Sequence, residues 1–145
     1  MHKETPMNYA NTITVALPYE DAVALTKQEL ANQGFGVLTE IDIRATFSTK
    51  LGTESADAVG DYVILGACNP PLAEQALAAD PDMGLLLPCN VVIRRSQSAE
   101  TTTVQAINPQ TMVQLSKVAA VQAVADQADE RLRAALAAIE SSSTS

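Results

Sequence analysis

The chain contains few of the residue types from which common metal and catalytic sites are built. It has one histidine, His2, and two cysteines, Cys68 and Cys89. A structural zinc site needs about four ligands, and a cysteine protease needs a histidine base within its domain. The sequence also lacks a glycine-rich phosphate-binding loop and a Ser-His-Asp set. We therefore predict no zinc centre, no hydrolase of these classes and no cofactor.

Basic residues and long hydrophobic runs are also scarce. Nine Lys and Arg residues stand against 17 Asp and Glu, which gives a formal net charge of −8. Phosphate binding needs a surplus of positive charge, so we expect no nucleic-acid partner and attribute the negative charge to solubility. No apolar run reaches 18 residues, and Met1–Pro6 lacks the apolar segment of a signal peptide. These absences predict a soluble, cytoplasmic protein without membrane contact, whose cysteines are free thiols.

A chain of 145 residues, 47% of them hydrophobic, suits a single domain with one core. We expect a flexible N-terminal arm over residues 1–11 and a disordered serine-rich tail over residues 141–145. The domain itself is predicted to occupy residues 12–140.

Hydrophobic periodicity predicts a strand, a helix, four further strands and a long final helix, with short helical pieces between them. The predicted strands cover residues 12–17, 35–43, 62–68, 85–94 and 102–107, and the main helices cover 18–34, 70–80 and 118–139. Residues 45–51 and the segment after Asn108-Pro109 are predicted as short helices, and residues 52–60 as a loop. This order predicts an α+β fold with a mainly antiparallel five-stranded sheet and helices on one face.

The other face of the sheet is expected to be covered by a second copy of the chain. Val63-Ile64-Leu65 and Leu85-Leu86-Leu87 are apolar on both sides of their predicted strands. Strands buried on both faces have this composition, so we predict a homodimer.

Two similar phrases, Cys68-Asn69-Pro70 and Pro88-Cys89-Asn90, contain both cysteines. Cys68 ends a predicted strand directly before a helix, where free amides and the helix dipole can lower a thiol pKa. Cys89 lies in the next predicted strand, and the structural interpretation is that its side chain packs in the core as a small hydrophobic group. If these strands are antiparallel neighbours, the two sulfurs lie close together.

A structural role accounts for one of the two asparagines but not for the other. Asn69 suits the N-cap of the following helix, whereas Asn90 has no such role and is the more informative residue. Asp42, Arg44 and Lys50 form a second polar cluster, in which Asp42 and Lys50 are further candidates for ligand binding.

These residues support three hypotheses. The first is a ligand-binding module for a small molecule, with a pocket at Cys68, Asn69, Cys89 and Asn90. The second is a thiol-dependent redox or sulfur-handling protein, with Cys68 as nucleophile and Cys89 as its partner. The third is a soft-metal site that holds Cu(I) between the same two sulfurs.

Several phrases in series resemble the bacterial domain-of-unknown-function family numbered 302. The resemblance covers residues 12–140 and is carried by Ile41-Asp42-Ile43-Arg44-Ala45-Thr46-Phe47, Lys50-Leu51-Gly52, Tyr62–Pro70, Gly84–Val91 and Asn108-Pro109 with Met112. It implies a TATA-binding-protein-like α+β fold, in the order strand, helix, four strands, helix, and a small cytoplasmic homodimer. It implies no DNA binding and no established activity. Position 44 is arginine in this chain, whereas lysine is commoner at this position in the family. A role that requires lysine is therefore not expected for Arg44.

Overall fold

The computed structural model describes residues 8–143, which form five strands, six α-helices and one 3-10 helix. The strands are β1 (Ala10–Val15), β2 (Gly36–Asp42), β3 (Asp61–Cys68), β4 (Cys89–Arg95) and β5 (Thr102–Ile107). The α-helices are α1 (Tyr19–Asn32), α2 (Ile43–Leu51), α3 (Thr53–Val59), α4 (Pro70–Ala79), α5 (Gln110–Leu115) and α6 (Val121–Ser143). The 3-10 helix, Pro81–Leu86, lies between α4 and β4.

The five strands form one open sheet in the order β1-β5-β4-β3-β2, and every neighbouring pair is antiparallel. The α+β prediction with an antiparallel five-stranded sheet is therefore confirmed. Helices α1 and α6 pack together over one face, and the main core lies between them and the sheet. The strand residues that alternate with the core residues, among them Ile41, Ile64 and Val92, lie on the opposite face, which we call the open face.

Strand alternation explains which side chains enter the core. In β4, Cys89, Val91 and Ile93 are buried, whereas the intervening Asn90 and Arg94 are exposed. Helix α6 buries one face, because its buried residues recur every three or four positions. They are Val121, Val124, Ala125, Ala128, Leu132, Ala135, Leu136 and Ile139.

The segment after β2 is more helical than predicted. The expected loop over 52–60 contains helix α3, Thr53–Val59, in which only Ala56 is buried. Strand β2 ends at Asp42 rather than 43, because the Asp42 side chain accepts a hydrogen bond from Ala45 N at 2.9 Å and begins α2.

The predicted fourth strand was too long at its start. Leu85 and Leu86 belong to the 3-10 helix, and β4 begins only at Cys89, directly after Pro88. Asp80 begins the 3-10 helix by accepting a hydrogen bond from Asp82 N at 3.1 Å. Leu85 is 88% exposed, so the apolar run Leu85-Leu86-Leu87 does not mark a strand buried on both faces.

The ends of the domain also shift. Strand β1 begins at Ala10, inside the expected N-terminal arm, and pairs there with Ile107. Residues 141–143 of the expected tail continue α6, where the Ser143 hydroxyl donates to Glu140 O at 2.8 Å. Helix α6 begins at Val121 instead of 118. Residues 1–7 of the arm and 144–145 of the tail lie outside the described residues.

None of the helices in residues 8–143 is both long enough and apolar enough to cross a membrane.

Candidate functional site

A small cavity lies where the end of β3 meets the start of β4, and helices α4, α5 and α6 complete its walls. Its volume is about 40 Å³, and Cys68, Asn69 and Cys89 line it. The apolar part of the wall includes Phe35, Leu72, Ala76, Met112, Val124 and Ala128. One water needs about 10–15 Å³ by this measure, whereas sites for drug-sized ligands measure roughly 300–1,000 Å³. The cavity therefore has room for a few atoms only.

The two cysteines share this cavity although they are out of register in the sheet. Cys89 pairs with Ala67, and Cys68 pairs with Gly36 on the other neighbouring strand. Because side chains alternate along a strand, this register directs the two Cβ atoms to opposite faces. Both residues reach the cavity because each lies at an end of its strand, and both are free thiols.

The thiol environments differ. Cys89 is 6% exposed, and Cys68 is half-buried. Burial, together with the smaller effect of the nearby Cys68, raises the pKa of the Cys89 thiol from 9.0 to about 11. Cys89 is therefore a protonated thiol at neutral pH, and its side chain behaves as a small apolar group.

Asn69 begins helix α4, as the sequence predicts. Its Oδ1 atom accepts a hydrogen bond from Leu72 N at 3.2 Å, and Pro70 occupies the first helical position. The side chain is buried at the wall of the cavity. The capping hydrogen bond uses the Oδ1 atom of the Asn69 side chain and does not involve its Nδ2 atom.

Asn90 does not join the other three residues. It follows the inward-facing Cys89 and is exposed on the open face. There it lines a separate groove of about 400 Å³ with Tyr62, Arg94 and Gln105. The expected four-residue pocket is thus a three-residue cavity, because one step along a strand reverses the side-chain direction.

The second polar cluster forms a cleft of about 330 Å³ that includes Asp42 and Arg44. Arg44 binds Asp61 at 2.8 Å and Asp57 at 3.0 Å, and these hydrogen bonds raise its pKa. Lys50, in the last turn of α2, is exposed and does not line this cleft. The guanidinium is therefore occupied by two carboxylates, and Asp42 serves as the cap of α2.

Tyr19 borders the same cleft. Its burial, together with the carboxylates of Asp42, Asp61 and Glu40, raises its pKa from 10.0 to about 12. The phenol is therefore neutral throughout the physiological range and can donate a hydrogen bond there.

The donor chemistry of the described residues limits what the cavity can hold. Residues 8–143 contain no group of three or more His, Cys, Asp or Glu side chains placed to hold a metal ion. The cavity is lined by Cys68, Asn69 and Cys89 together with apolar residues, and its surface is almost wholly apolar, which suits a small apolar group. Phe35 and Met112 also line the cavity, although the sequence predicts only a strand and a short helix at these positions. Phe35 follows Gly34, and Met112 follows Asn108-Pro109, so both lie close to the predicted start of an element.

The protein is a small α+β domain with an open antiparallel sheet. One Cys-Asn motif lies at the end of β3, and the other lies at the start of β4. A family comparison matches residues 11–139 to the "Domain of unknown function DUF302". The chain belongs to this family, which confirms the resemblance carried by its motifs.

A solved structure supports the same assignment. The chain is similar to the crystal structure of an uncharacterised conserved protein DUF302 from Bacillus stearothermophilus, with a TM-score of 0.77 and 25% sequence identity. The alignment covers 88% of this chain and 95% of that chain. A comparison with curated proteins finds no match.

Proposed function

We propose that the protein is a small cytoplasmic ligand-binding module, and that its ligand enters the cavity lined by Cys68, Asn69 and Cys89. One observation carries the proposal: Cys68, Asn69 and Cys89 line a cavity whose surface is almost wholly apolar. Packed interiors contain few voids larger than a water molecule. An almost wholly apolar cavity of this size at the end of two strands therefore favours binding of a small apolar group over simple packing.

The cavity volume restricts the ligand. At about 40 Å³, the cavity accepts an apolar group of a few heavy atoms, either as a whole small ligand or as one end of a larger one. Met112 and Leu72 supply adaptable apolar contacts for such a group.

Xenon tests this proposal, since it binds small apolar cavities without needing a polar partner. The experiment is methyl NMR of the reduced protein under increasing xenon pressure. We expect saturable shifts at the methyl groups of Leu72 and Met112. Ala73→Leu, on the cavity wall, should abolish them, whereas Ala78→Leu, exposed on the same helix, should not. Shifts that do not saturate, or that persist in Ala73→Leu, would refute the proposal.

The thiol-dependent alternative rests on Cys68 and Cys89, which share one cavity. A disulfide needs Cβ atoms that point toward each other, and two-coordinate Cu(I) needs both sulfurs at bonding distance. The register directs these Cβ atoms apart, and the Cys89 pKa of about 11 keeps its thiol protonated. Ligand binding is therefore the better-supported function. We expect diamide treatment of the reduced protein to form no Cys68–Cys89 disulfide by mass spectrometry, and quantitative formation would favour the redox function.

We further propose that two copies of the chain associate through the open face. Ile41 and Ile64 form a cross-strand pair on this face, and Ile41 is 47% exposed. Val92 pairs with Ile64 on the same side. These β-branched side chains form a row from the edge strand β2 across β3 to the central strand β4. Such an apolar row on a sheet surface favours a partner sheet over solvent.

A further inference from the structure

A groove of about 400 Å³ lies on the open face over β4, β5 and β1, and Tyr62 of β3 borders it. It shares no lining residue with the cavity. Its volume falls within the range of roughly 300–1,000 Å³ that is typical of small-molecule sites. The apolar row of the proposed dimer runs from Val92 toward β2, whereas the groove extends from Val92 toward β1. The two features therefore use different halves of the open face.

The groove has polar groups at its two ends and an apolar middle. In β4, Asn90, Val92 and Arg94 alternate with the buried residues and therefore share the open face. Asn90 and Arg94 are four residues apart, which separates their Cα atoms by about 13 Å, and Val92 lies between them. Arg94 pairs across the strands with Tyr62, and Tyr9 is a second aromatic residue of the lining. An elongated ligand would thus meet a guanidinium at one end and an amide at the other.

The Arg94 guanidinium is held in position by other strands and has no carboxylate partner. Its Nε atom donates a hydrogen bond to Gln105 Oε1 at 3.1 Å, and Gln105 Nε2 donates to Thr12 Oγ1 at 3.1 Å. Within residues 8–143, the arginines that form ion pairs are Arg44 and Arg133. Because the bond to Gln105 uses only Nε, the two Nη groups of Arg94 can donate together to one planar anion.

Charge distinguishes this groove from the polar cleft at Arg44. That cleft is lined by three aspartates besides Arg44, whereas Arg94 is the one charged residue among the described residues that line the groove. The chain as a whole carries a net charge of −8. A groove with this local excess of positive charge is complementary to an anion.

We propose that the groove binds an aromatic carboxylate that has a polar group at the end opposite the carboxylate. The carboxylate accepts hydrogen bonds from both Nη groups of Arg94, a bidentate pairing that fixes its plane. The aromatic ring covers Val92 and packs against Tyr62, a contact between rings that is favourable in itself. The polar end reaches Asn90, whose amide can donate or accept a hydrogen bond. This site goes beyond the proposed function, because it does not use the cavity.

The test is a ¹H–¹⁵N NMR titration of the reduced protein with sodium para-hydroxycinnamate, which has this order of groups. Cinnamate lacks the hydroxyl, para-hydroxycinnamamide lacks the charge and acetate lacks the ring. We expect saturable shifts at the backbone amides of Val92, Arg94 and Gln105. The amide and acetate should bind at least ten-fold more weakly than para-hydroxycinnamate, because each lacks a main contact. Cinnamate should bind about five-fold more weakly, the effect of one neutral hydrogen bond.

Four variants locate the ligand. Arg94→Gln should weaken binding at least ten-fold, whereas Arg133→Gln should leave it unchanged, because Arg133 lies outside the groove and is paired with Asp129. Asn90→Ala should remove the preference for para-hydroxycinnamate over cinnamate. Ala73→Leu, on the cavity wall, should not alter the affinity.

Several results would overturn the inference. They are equal effects of Arg94→Gln and Arg133→Gln, equal binding of acetate and para-hydroxycinnamate, a hydroxyl preference that persists in Asn90→Ala, and the lack of any saturable shift. Loss of the shifts in Ala73→Leu would place the ligand in the cavity and would overturn it as well. Xenon in the cavity without carboxylate binding would overturn this inference alone, and carboxylate binding without xenon would overturn the proposed function alone.

Discussion

At the scale of single residues, Cys68 and Cys89 occupy different environments despite their similar flanking sequences. Cys68 ends β3 and is half-buried, whereas Cys89 is enclosed by the core and has a pKa of about 11. The two environments differ because Cys68 is the last residue of β3, whereas Cys89 is the first residue of β4 and faces the core. A shared local phrase therefore does not give the two thiols a shared chemistry.

The raised pKa of Cys89 predicts a loss of stability at alkaline pH. The unfolded chain releases this proton near pH 9, whereas the folded chain holds it until about pH 11, so the contribution is complete below pH 9 and is lost as pH rises toward 11. Between pH 8 and 10 we expect Cys89 to lower the free energy of unfolding by about 1 kcal/mol. Urea unfolding of Cys89→Ala should lack this decrease, and Cys68→Ala should retain it. An identical pH dependence in both variants would show that burial of Cys89 is not its cause.

At the scale of elements, the junction from β3 to α4 was predictable because its signals are local. Asn69-Pro70 combines a capping side chain with a residue preset for the first helical turn, and the apolar run before it marks a central strand. The antiparallel pairing of β3 with β4 then brings Cys89 to the same cavity. Local chemistry and short-range topology were sufficient for three of the cavity residues.

Features that the hydrophobic pattern does not record were not predictable. Helix α3 has one buried residue, so its sequence carries no hydrophobic period. The apolar run at Leu85 predicts a strand, although the local cap at Asp80 starts a 3-10 helix there. Arg131 lies 98 residues from Gln33, its acceptor, and only tertiary packing brings these two residues together.

Close approach within the sheet explains a glycine in β3. A Cβ atom at Gly66 would overlap the hydroxyl of Thr39 and lie 2.9 Å from Pro88 Cγ, whereas a Cβ atom at Gly36 would meet nothing within 4 Å. Gly66→Ala should therefore lower the free energy of unfolding by about 1–3 kcal/mol, as overpacking does. Gly36→Ala should not lower it, because alanine reduces the entropy of the unfolded chain. Urea denaturation measures both, and equal effects would contradict the close approach at Gly66.

At the scale of the whole molecule, the sheet separates two surfaces with different compositions. One face carries the core and, at its edge, the cavity lined by Cys68, Asn69 and Cys89. The other face is open and carries Asn90, Ile41 and Arg94. A ligand site at the end of the sheet and a dimer through its open face are therefore compatible, because they use different surfaces.

The proposed dimer has a direct test. Sedimentation of the wild-type protein should give twice the 15.3 kDa chain mass. Ile41→Lys, on the open face, should shift the protein toward the chain mass, because a buried charge at an interface is unfavourable. Leu51→Lys, which is 65% exposed on α2, is the control and should sediment as the wild type does. A wild-type protein at the mass of one chain would exclude the dimer.

The proposed ligand site requires that the cavity lined by Cys68, Asn69 and Cys89 is accessible from solvent. A crystal structure of the reduced protein under xenon pressure is the decisive measurement, because xenon scatters anomalously and marks its own position. We expect a xenon atom between the β3–β4 junction and Met112, and none at that position in Ala73→Leu. A wild-type crystal in which side chains fill this space, with no xenon in it, would rule out the proposed site.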